Sequence, residues 1–182
     1  MPRIPVHTVD NAPAASEETL RALEKRFGKV LNIHGGMAHS PVVLQTYAAI
    51  QAAIAEHSTF DARTREAIAL AVGAVDHCDY CQAAHTMAGK KAGYTEEETV
   101  AIRRGDADVE SKLAALLLVA REIAGDVGEV SDATWDKALA AGWSDVQLTE
   151  VFAHVAVNVY TNYFNHLART ELDLPAAPSV DA

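Results

Sequence analysis

The chain's only two cysteines, Cys78 and Cys81, stand three residues apart at the joint between two alanine-rich stretches, in the segment EAIALAVGAVDHCDYCQAAH over residues 66–85. No other feature limits the possible folds as much. Residues 62–75 are rich in Ala, Leu, Ile and Val and hold no Pro, which predicts a helix capped by Asp61. Gly73, Asp76 and His77 weaken that helix, and a second is expected from Cys78 to Ala92, ended by Gly93. So short a connection makes the two helices antiparallel neighbours. At about 1.5 Å of rise per residue, Glu66 lies roughly 15 Å back from the break and His85 roughly 12 Å beyond it, nearly level across the hairpin. Glu66 shares a stripe with Ala69, Leu70, Gly73 and Ala74, small and apolar enough to take the carboxylate inward. Cys78, Cys81 and His85 follow an i, i+3, i+7 spacing and share one face. A carboxylate, an imidazole and two thiols can therefore converge.

Such a group has defined chemistry. A thiol attacks only as its thiolate, and a free cysteine is mostly protonated at neutral pH. The positive end of a helix N-terminus favours a thiolate in the first turn. His85 can accept the thiol proton, and Glu66 can orient His85 and take the proton next. Two cysteines three apart can close a disulfide once one is oxidised to a sulfenic acid. Plainer readings compete. Cysteines at this spacing also arise by chance, or as small buried apolar residues. A structural disulfide here would close too short a loop to stabilise much, and an intracellular chain would not keep it. A zinc site from Cys78, Cys81 and His85, with His77 as a fourth ligand, has an unusual spacing and no second C-x-x-C. Taken alone, His85 reads as a core histidine and Glu66 as a solvated helix residue. Their joint spacing to the cysteines favours the redox reading.

The pattern E-x11-C-x2-C-x3-H formed by Glu66, Cys78, Cys81 and His85 resembles that of the alkylhydroperoxidase D-like branch of the carboxymuconolactone decarboxylase family. The resemblance covers roughly residues 20–170. It implies an all-helical, oligomeric, AhpD-like protein whose thiol pair reduces peroxides. It further implies that Cys81 is the peroxidatic thiol, that Cys78 resolves it, and that Glu66 and His85 form a proton relay. The best-studied members carry a further histidine just before the second cysteine, where this chain has Tyr80; His77 stands near that position.

The rest of the chain reads as helices that carry and bury this stretch. Its 182 residues suit one domain with a sizeable core. About half the residues are apolar (49%) and few are aromatic (6%), which suits packed helices. A net charge of −10 disfavours nucleic acid as a partner. The N-terminal MPRIPVHTVD lacks the apolar core of a signal peptide, and no apolar run is long enough to span a membrane. With both cysteines in one redox motif, the expected location is the cytoplasm.

Residues 1–15, with three prolines, read as an extended arm able to pack on a neighbouring subunit. Ser16 is expected to cap a helix to Phe27, followed by a loop or short helix over residues 28–39 in which His34 and His39 read as loop histidines. Ser40-Pro41 opens a helix to Glu56 with Val42, Leu44, Tyr47, Ile50 and Ile54 toward the core. Thr95 and Glu98 form a capping box for a helix to Arg104. Residues 108–125, with Leu113, Leu116, Leu117, Val119, Ala120 and Ile123, predict a buried helix. Ser131 starts another to Ala141, and Ser144 with Gln147 opens a long one to Arg169. The domain thus spans residues 16–174, and the tail 175–182 is expected to be mobile or to lie on a partner.

Two internal similarities suggest a degenerate repeat. AGYTE (92–96) matches AGWSD (141–145), and the Asp61/Glu66 pair matches Asp145/Glu150 at an offset of 84, where Cys78 and Cys81 fall on Asn162 and Asn165. The last helix carries a polar stripe of His154, Asn158, Thr161, Asn162 and Asn165. It can line the thiol site or form a hydrogen-bonded network between helices or subunits, and the network is the favoured reading.

These readings predict an all-α, single-domain bundle of six to eight helices, built on antiparallel hairpins and assembled as a trimer or hexamer. The expected function is a thiol-dependent peroxidase that needs no metal, flavin or haem. It takes a hydroperoxide as substrate and an external dithiol or disulfide-reducing protein as electron donor. The alternatives are a decarboxylase or lactone-processing enzyme of the wider family, or a non-enzymatic redox sensor.

Overall fold

The computed structural model describes residues 1–106 and 110–180. Among these, the chain forms nine α-helices and no strand: α1 (Ala14–Phe27), α2 (Asn32–Met37), α3 (Pro41–His57), α4 (Ala62–Val75), α5 (Asp79–Lys91), α6 (Glu96–Arg104), α7 (Ser111–Gly125), α8 (Asp132–Ala140) and α9 (Asp145–Ala168). The all-α expectation is met. The helix beyond the expected eight is α2, in the stretch read as a loop or short helix. No helix among the described residues is long and apolar enough to cross a membrane. Residues 108 and 109, placed by sequence at the start of the seventh helix, lie outside the described residues.

The caps behave as local chemistry dictates. Asp61 accepts from Thr64 N at 2.8 Å to start α4. Reciprocal capping boxes open α6 (Thr95 with Glu98) and α9 (Ser144 with Gln147). One boundary differs: α1 begins at Ala14, ahead of Ser16, whose side chain is buried in the first turn while Pro13 holds the cap position.

α4 is the central helix. Its stretch from Ala67 to Gly73 is uncharged and buried all round, because α5, α6, α7 and α9 all pack on it. Ile68, Leu70 and Val72 meet Leu116 and Val119 of α7 and Val151 and Val155 of α9 in one apolar cluster. A second cluster joins Leu20, Met37, Leu44 and Tyr47 from α1–α3 to Val157 of α9, and both cysteines belong to it. The thiol pair therefore sits at the seam of the two clusters.

Both terminal segments lie on the body of the fold, the C-terminal one as far as Val180. The N-terminal segment is bonded to α9 through Arg3 N and Ala168 O (2.8 Å) and to α2 through His7 N and Gly35 O (3.0 Å), and Val9 is buried. A Cβ at Gly35 would stand 2.5 Å from His7 O, so glycine is what lets the segment lie flush on α2. The C-terminal segment turns back along the body. Arg103 Nη2 donates to Pro178 O and Arg104 Nη2 to Val180 O, each at 2.7 Å. Up to Val180 the tail thus rests on α6; residues 181 and 182 lie outside the described residues.

Candidate active site

The site begins with how α4 ends. His77 adopts a left-handed conformation (φ 52°). Its N–H donates to Ala74 O (3.2 Å), and Cys78 N–H donates to Gly73 O (3.0 Å). These two bonds make a Schellman turn, which satisfies the last carbonyls of α4. Cys78 is at once the residue that closes this turn and the N-cap of α5, where its Sγ accepts from Cys81 N–H at 3.3 Å. The predicted break at Asp76–His77 is therefore a single tight corner with the first cysteine locked into it. Cys78 and Cys81 are joined by a disulfide, with their Cα atoms 5.3 Å apart.

α4 and α5 pack as the expected hairpin, which brings Glu66 and His85 together. His85 Nδ1 donates to Glu66 Oε2 at 2.8 Å, with both side chains about three-quarters buried. This pair and Cys81 line one cavity of about 380 Å³, enclosed by α1–α5 and α9. Its walls include Phe27, Leu31, Ile33, Ile54, Ala69 and Val157 among the apolar residues, and His34, Tyr47, Asn158, Thr161 and Asn165 among the polar ones. Cys78 is equally buried but does not line the cavity. His77 is exposed and takes no part in the lining. Tyr80 does line it, but its hydroxyl donates to Asp173 Oδ1 at 2.7 Å. Burial and that carboxylate push the Tyr80 phenol well above the ordinary tyrosine range. Burial also pushes Asp173 upward, but hydrogen bonds from Tyr80 and Lys29 outweigh it and hold the carboxyl low. Among the described residues no group of three or more His, Cys, Asp or Glu is arranged to hold a metal ion.

The polar stripe on α9 divides between its two readings. Asn165 Nδ2 donates to Cys81 Sγ at 3.2 Å and stands 3.8 Å from Cys78 Sγ, so it belongs to the thiol site. Asn162 Nδ2 donates to Asp76 Oδ2 at 2.7 Å, and His166 Nε2 to Asp76 O at 2.9 Å, which clamp the corner. Burial raises the Asp76 carboxyl above its ordinary value. Asn158 and Thr161 bond to backbone carbonyls of α9 itself while lining the cavity. His154, also in the wall, shares Glu150 with Ser58: His154 Nε2 lies 3.3 Å from Glu150 Oε1. Burial lowers the His154 imidazole below its usual range.

Reading by sequence missed His34, and it gave Asn165 only as one member of the α9 stripe, with the network as the favoured reading. Asn165 had a further trace, the offset of 84 that superposes it on Cys81, the sulfur it touches. His34, read as a loop histidine, is inside α2 and only 2% exposed, between Phe27 and Tyr47. Burial, helped by the Arg26 guanidinium, lowers its imidazole to about 4, so it is neutral at physiological pH. Its Nδ1 has no hydrogen-bond partner among the described residues. His39 instead stays at the surface, stacked on His7 with ring nitrogens 3.0 Å apart.

Comparison with known proteins bears on the family and the fold. The sequence pattern of the carboxymuconolactone decarboxylase family matches residues 41–122, which run from α3 into α7. An uncharacterized protein of Haemophilus influenzae is 51% identical over 45 residues; the match spans 25% of this chain and 40% of that protein's length. Among solved structures, the fold is similar to the alkylhydroperoxidase AhpD core of an uncharacterized peroxidase-related protein from Ralstonia eutropha JMP134 (TM-score 0.84, 20% identity, 94% of this chain and 92% of that one). A peroxidase-related protein from Silicibacter sp. TM1040 is similar at a TM-score of 0.80 (16% identity, 98% and 96% covered). So is the debrominase Bmp8 bound to 2,3,4-tribromopyrrole, at 0.78 (15% identity, 93% and 90% covered).

Proposed function

We propose that this chain, which matches the carboxymuconolactone decarboxylase family over residues 41–122 and has the AhpD-like fold, is a thiol-dependent peroxidase. One observation carries the reading: the redox-capable Cys78–Cys81 pair presents only Cys81 to a cavity that also holds the Glu66–His85 pair. In the reduced protein, Cys81 gives its proton to His85, whose ring is oriented by Glu66. The Cys81 thiolate attacks the distal oxygen of a hydroperoxide and the O–O bond breaks. Cys81 becomes a sulfenic acid, and the leaving alkoxide takes a proton from the relay to depart as an alcohol. Cys78 then attacks the Cys81 sulfur, water leaves, and the disulfide forms. An external dithiol or a disulfide-reducing protein must return two electrons and two protons before the next cycle.

Assembly into a homo-oligomer, trimer or hexamer, is part of the proposal. Its support is the outer face of α9, where Phe152, Tyr163 and Leu167 are exposed at helical spacing. Light scattering checks it, and a monomer at micromolar concentration refutes it. The test of the activity is peroxide consumption with a panel of hydroperoxides and dithiols, beside Cys81→Ser. Repeated turnover lost in the variant supports the peroxidase. A single stoichiometric oxidation makes the protein a sensor, and turnover of a lactone acid without redox change moves it to the decarboxylases.

A further inference from the structure

Two arginines in the wall of the Cys81 cavity have no carboxylate paired to them among the described residues, in a chain that carries 25 acidic residues against 15 lysines and arginines. On α1, Arg21 pairs with Glu17, but Arg26, one and a half turns on and exposed, makes no side-chain hydrogen bond or ion pair among the described residues and lies over the Phe27 ring. On α4, Arg63 pairs with Glu98 and covers Tyr94, whereas Arg65, two residues on and half-buried, has no side-chain hydrogen bond or ion pair among the described residues. A guanidinium that faces a cavity with no protein anion on it can take one from a ligand. Both line the cavity. The carboxylate that shares the lining, Glu66, is engaged by His85. The two other histidines in the wall, His34 and His154, are both held toward the neutral form by burial and so offer an anion no charge. The wall that the arginines share with Cys81 includes the apolar Phe27, Leu31, Ile33, Ile54 and Val157.

We propose that Arg26 and Arg65 form an anion-recognition edge on the Cys81 cavity, and that its substrate is an organic hydroperoxide with an apolar body and a carboxylate. Guanidinium matches carboxylate geometry, and pockets of this size are typically apolar with a few placed polar groups. The apolar wall takes the body of the molecule and directs the O–O group to the sulfur, while the carboxylate meets the arginines. This rests on the peroxidase reading above, so its test has one arm that needs no turnover.

In that arm, the disulfide form is titrated calorimetrically with octanoate and with methyl octanoate. Octanoate should bind at least tenfold tighter, and the difference should shrink as salt is raised and in the Arg26→Gln/Arg65→Gln protein. In the kinetic arm, oxidation of the reduced protein by 8-hydroperoxyoctanoate is compared with that by its methyl ester. The acid-to-ester ratio of kcat/KM should be tenfold or more in the wild type and approach one in the double variant. Taking the ratio within each protein removes any general loss caused by the substitutions, and the salt series on wild-type protein stands even where the variant fails to fold. Equal affinity for octanoate and its ester overturns the anion site while leaving the peroxidase intact. Oxidation of Cys81 by every hydroperoxide at no more than free-thiol rates overturns the peroxidase, with octanoate binding still able to judge the anion site. If the acid preference appears only in re-reduction by a carboxylate-bearing dithiol, the arginines serve the reductant and the substrate assignment falls.

Discussion

Asn165 is the residue whose removal tests the chemistry most directly. Its Nδ2 donates to Cys81 Sγ at 3.2 Å, and Cys81 is only 3% exposed. Reduction turns that weak contact into a hydrogen bond to a thiolate. A hydrogen bond to a charged group is worth about 1.5–3 kcal/mol, and about 1.4 kcal/mol corresponds to one pKa unit. Asn165→Leu, close in volume and without a donor, should therefore raise the Cys81 thiol by about 1–2 pKa units. The sign follows from which state loses support: only the anion does. The disulfide gains nothing from the donor that the thiol pair does not, so the reduced form loses stability and the potential should fall. At about 30 mV per 1.4 kcal/mol for two electrons, the drop is roughly 30–65 mV. The assay is alkylation of reduced protein by iodoacetamide as a function of pH, in a Cys78→Ser background so that one sulfur titrates. A glutathione redox titration of the protein with both cysteines gives the potential. An unchanged alkylation profile in a folded variant would show that Asn165 packs beside the sulfur without stabilising its charge.

Three further outcomes follow from the same geometry. Glu66→Gln and His85→Ala should keep the fold and slow thiol attack by roughly 10²-fold, the usual scale of lost general base catalysis; wild-type peroxidase rates in both would remove the relay. His34 has a folded pKa of about 4 against 6.5 when unfolded, so the unfolded chain binds the proton first and stability falls as pH drops from 6.5 toward 4. The loss should be about 2.5 kcal/mol between pH 7.5 and 4.5, and denaturant melts of His34→Phe should lack that component; parallel pH profiles for the two proteins would refute it. Cys81→Ser should abolish peroxide reduction, whereas Cys78→Ser should form a dimedone-trappable sulfenic acid on Cys81 without turning over, and trapping on Cys78 alone would reverse the roles.

What could be read from the sequence depended on how local each determinant is. The corner at Asp76–His77 needs only the helix-weakening run Gly73, Asp76, His77, and the structure puts the Schellman turn there. The level placement of Glu66 and His85 needs only the rise of two helices joined by that corner. Asn165 is different, since its approach to Cys81 spans 84 residues and is set by how α9 packs on α4 and α5. Nothing in its own stretch separates it from Asn162, three residues earlier, which clamps Asp76 instead. The stretch HGGMAH reads as a loop or short helix because glycines weaken helices. Here Gly35 and Gly36 serve close packing: the N-terminal segment lies on the first, and a Cβ on the second would stand 3.3 Å from the Phe164 ring. His34, between them and Phe27 in sequence, is buried against the Phe27 and Tyr47 rings. The tail has no period to read; Arg103 and Arg104 hold it by its backbone carbonyls, which carry no sequence signature.

The two cysteines differ less in acidity than in access. Position on α5 favours Cys78, because an N-cap sulfur lies at the positive end of the helix, an effect worth about 0.3–1 kcal/mol when exposed. Yet Cys78 is the residue that closes the Schellman corner, and its sulfur is spent on the N–H of Cys81. Moving it toward the cavity would break the turn that ends α4. Cys81, one turn on, carries no such duty; its sulfur lines the cavity and receives the Asn165 donor. The hydrogen bond from Asn165, at about 1.5–3 kcal/mol for a charged acceptor, is larger than the helix-end effect. Access and anion stabilisation therefore point to the same sulfur, and the constraint that removes Cys78 from the cavity also keeps it within bonding distance of Cys81, their Cα atoms 5.3 Å apart. A resolving thiol needs that placement: fixed, shielded from the peroxide, and next to the sulfur it must attack.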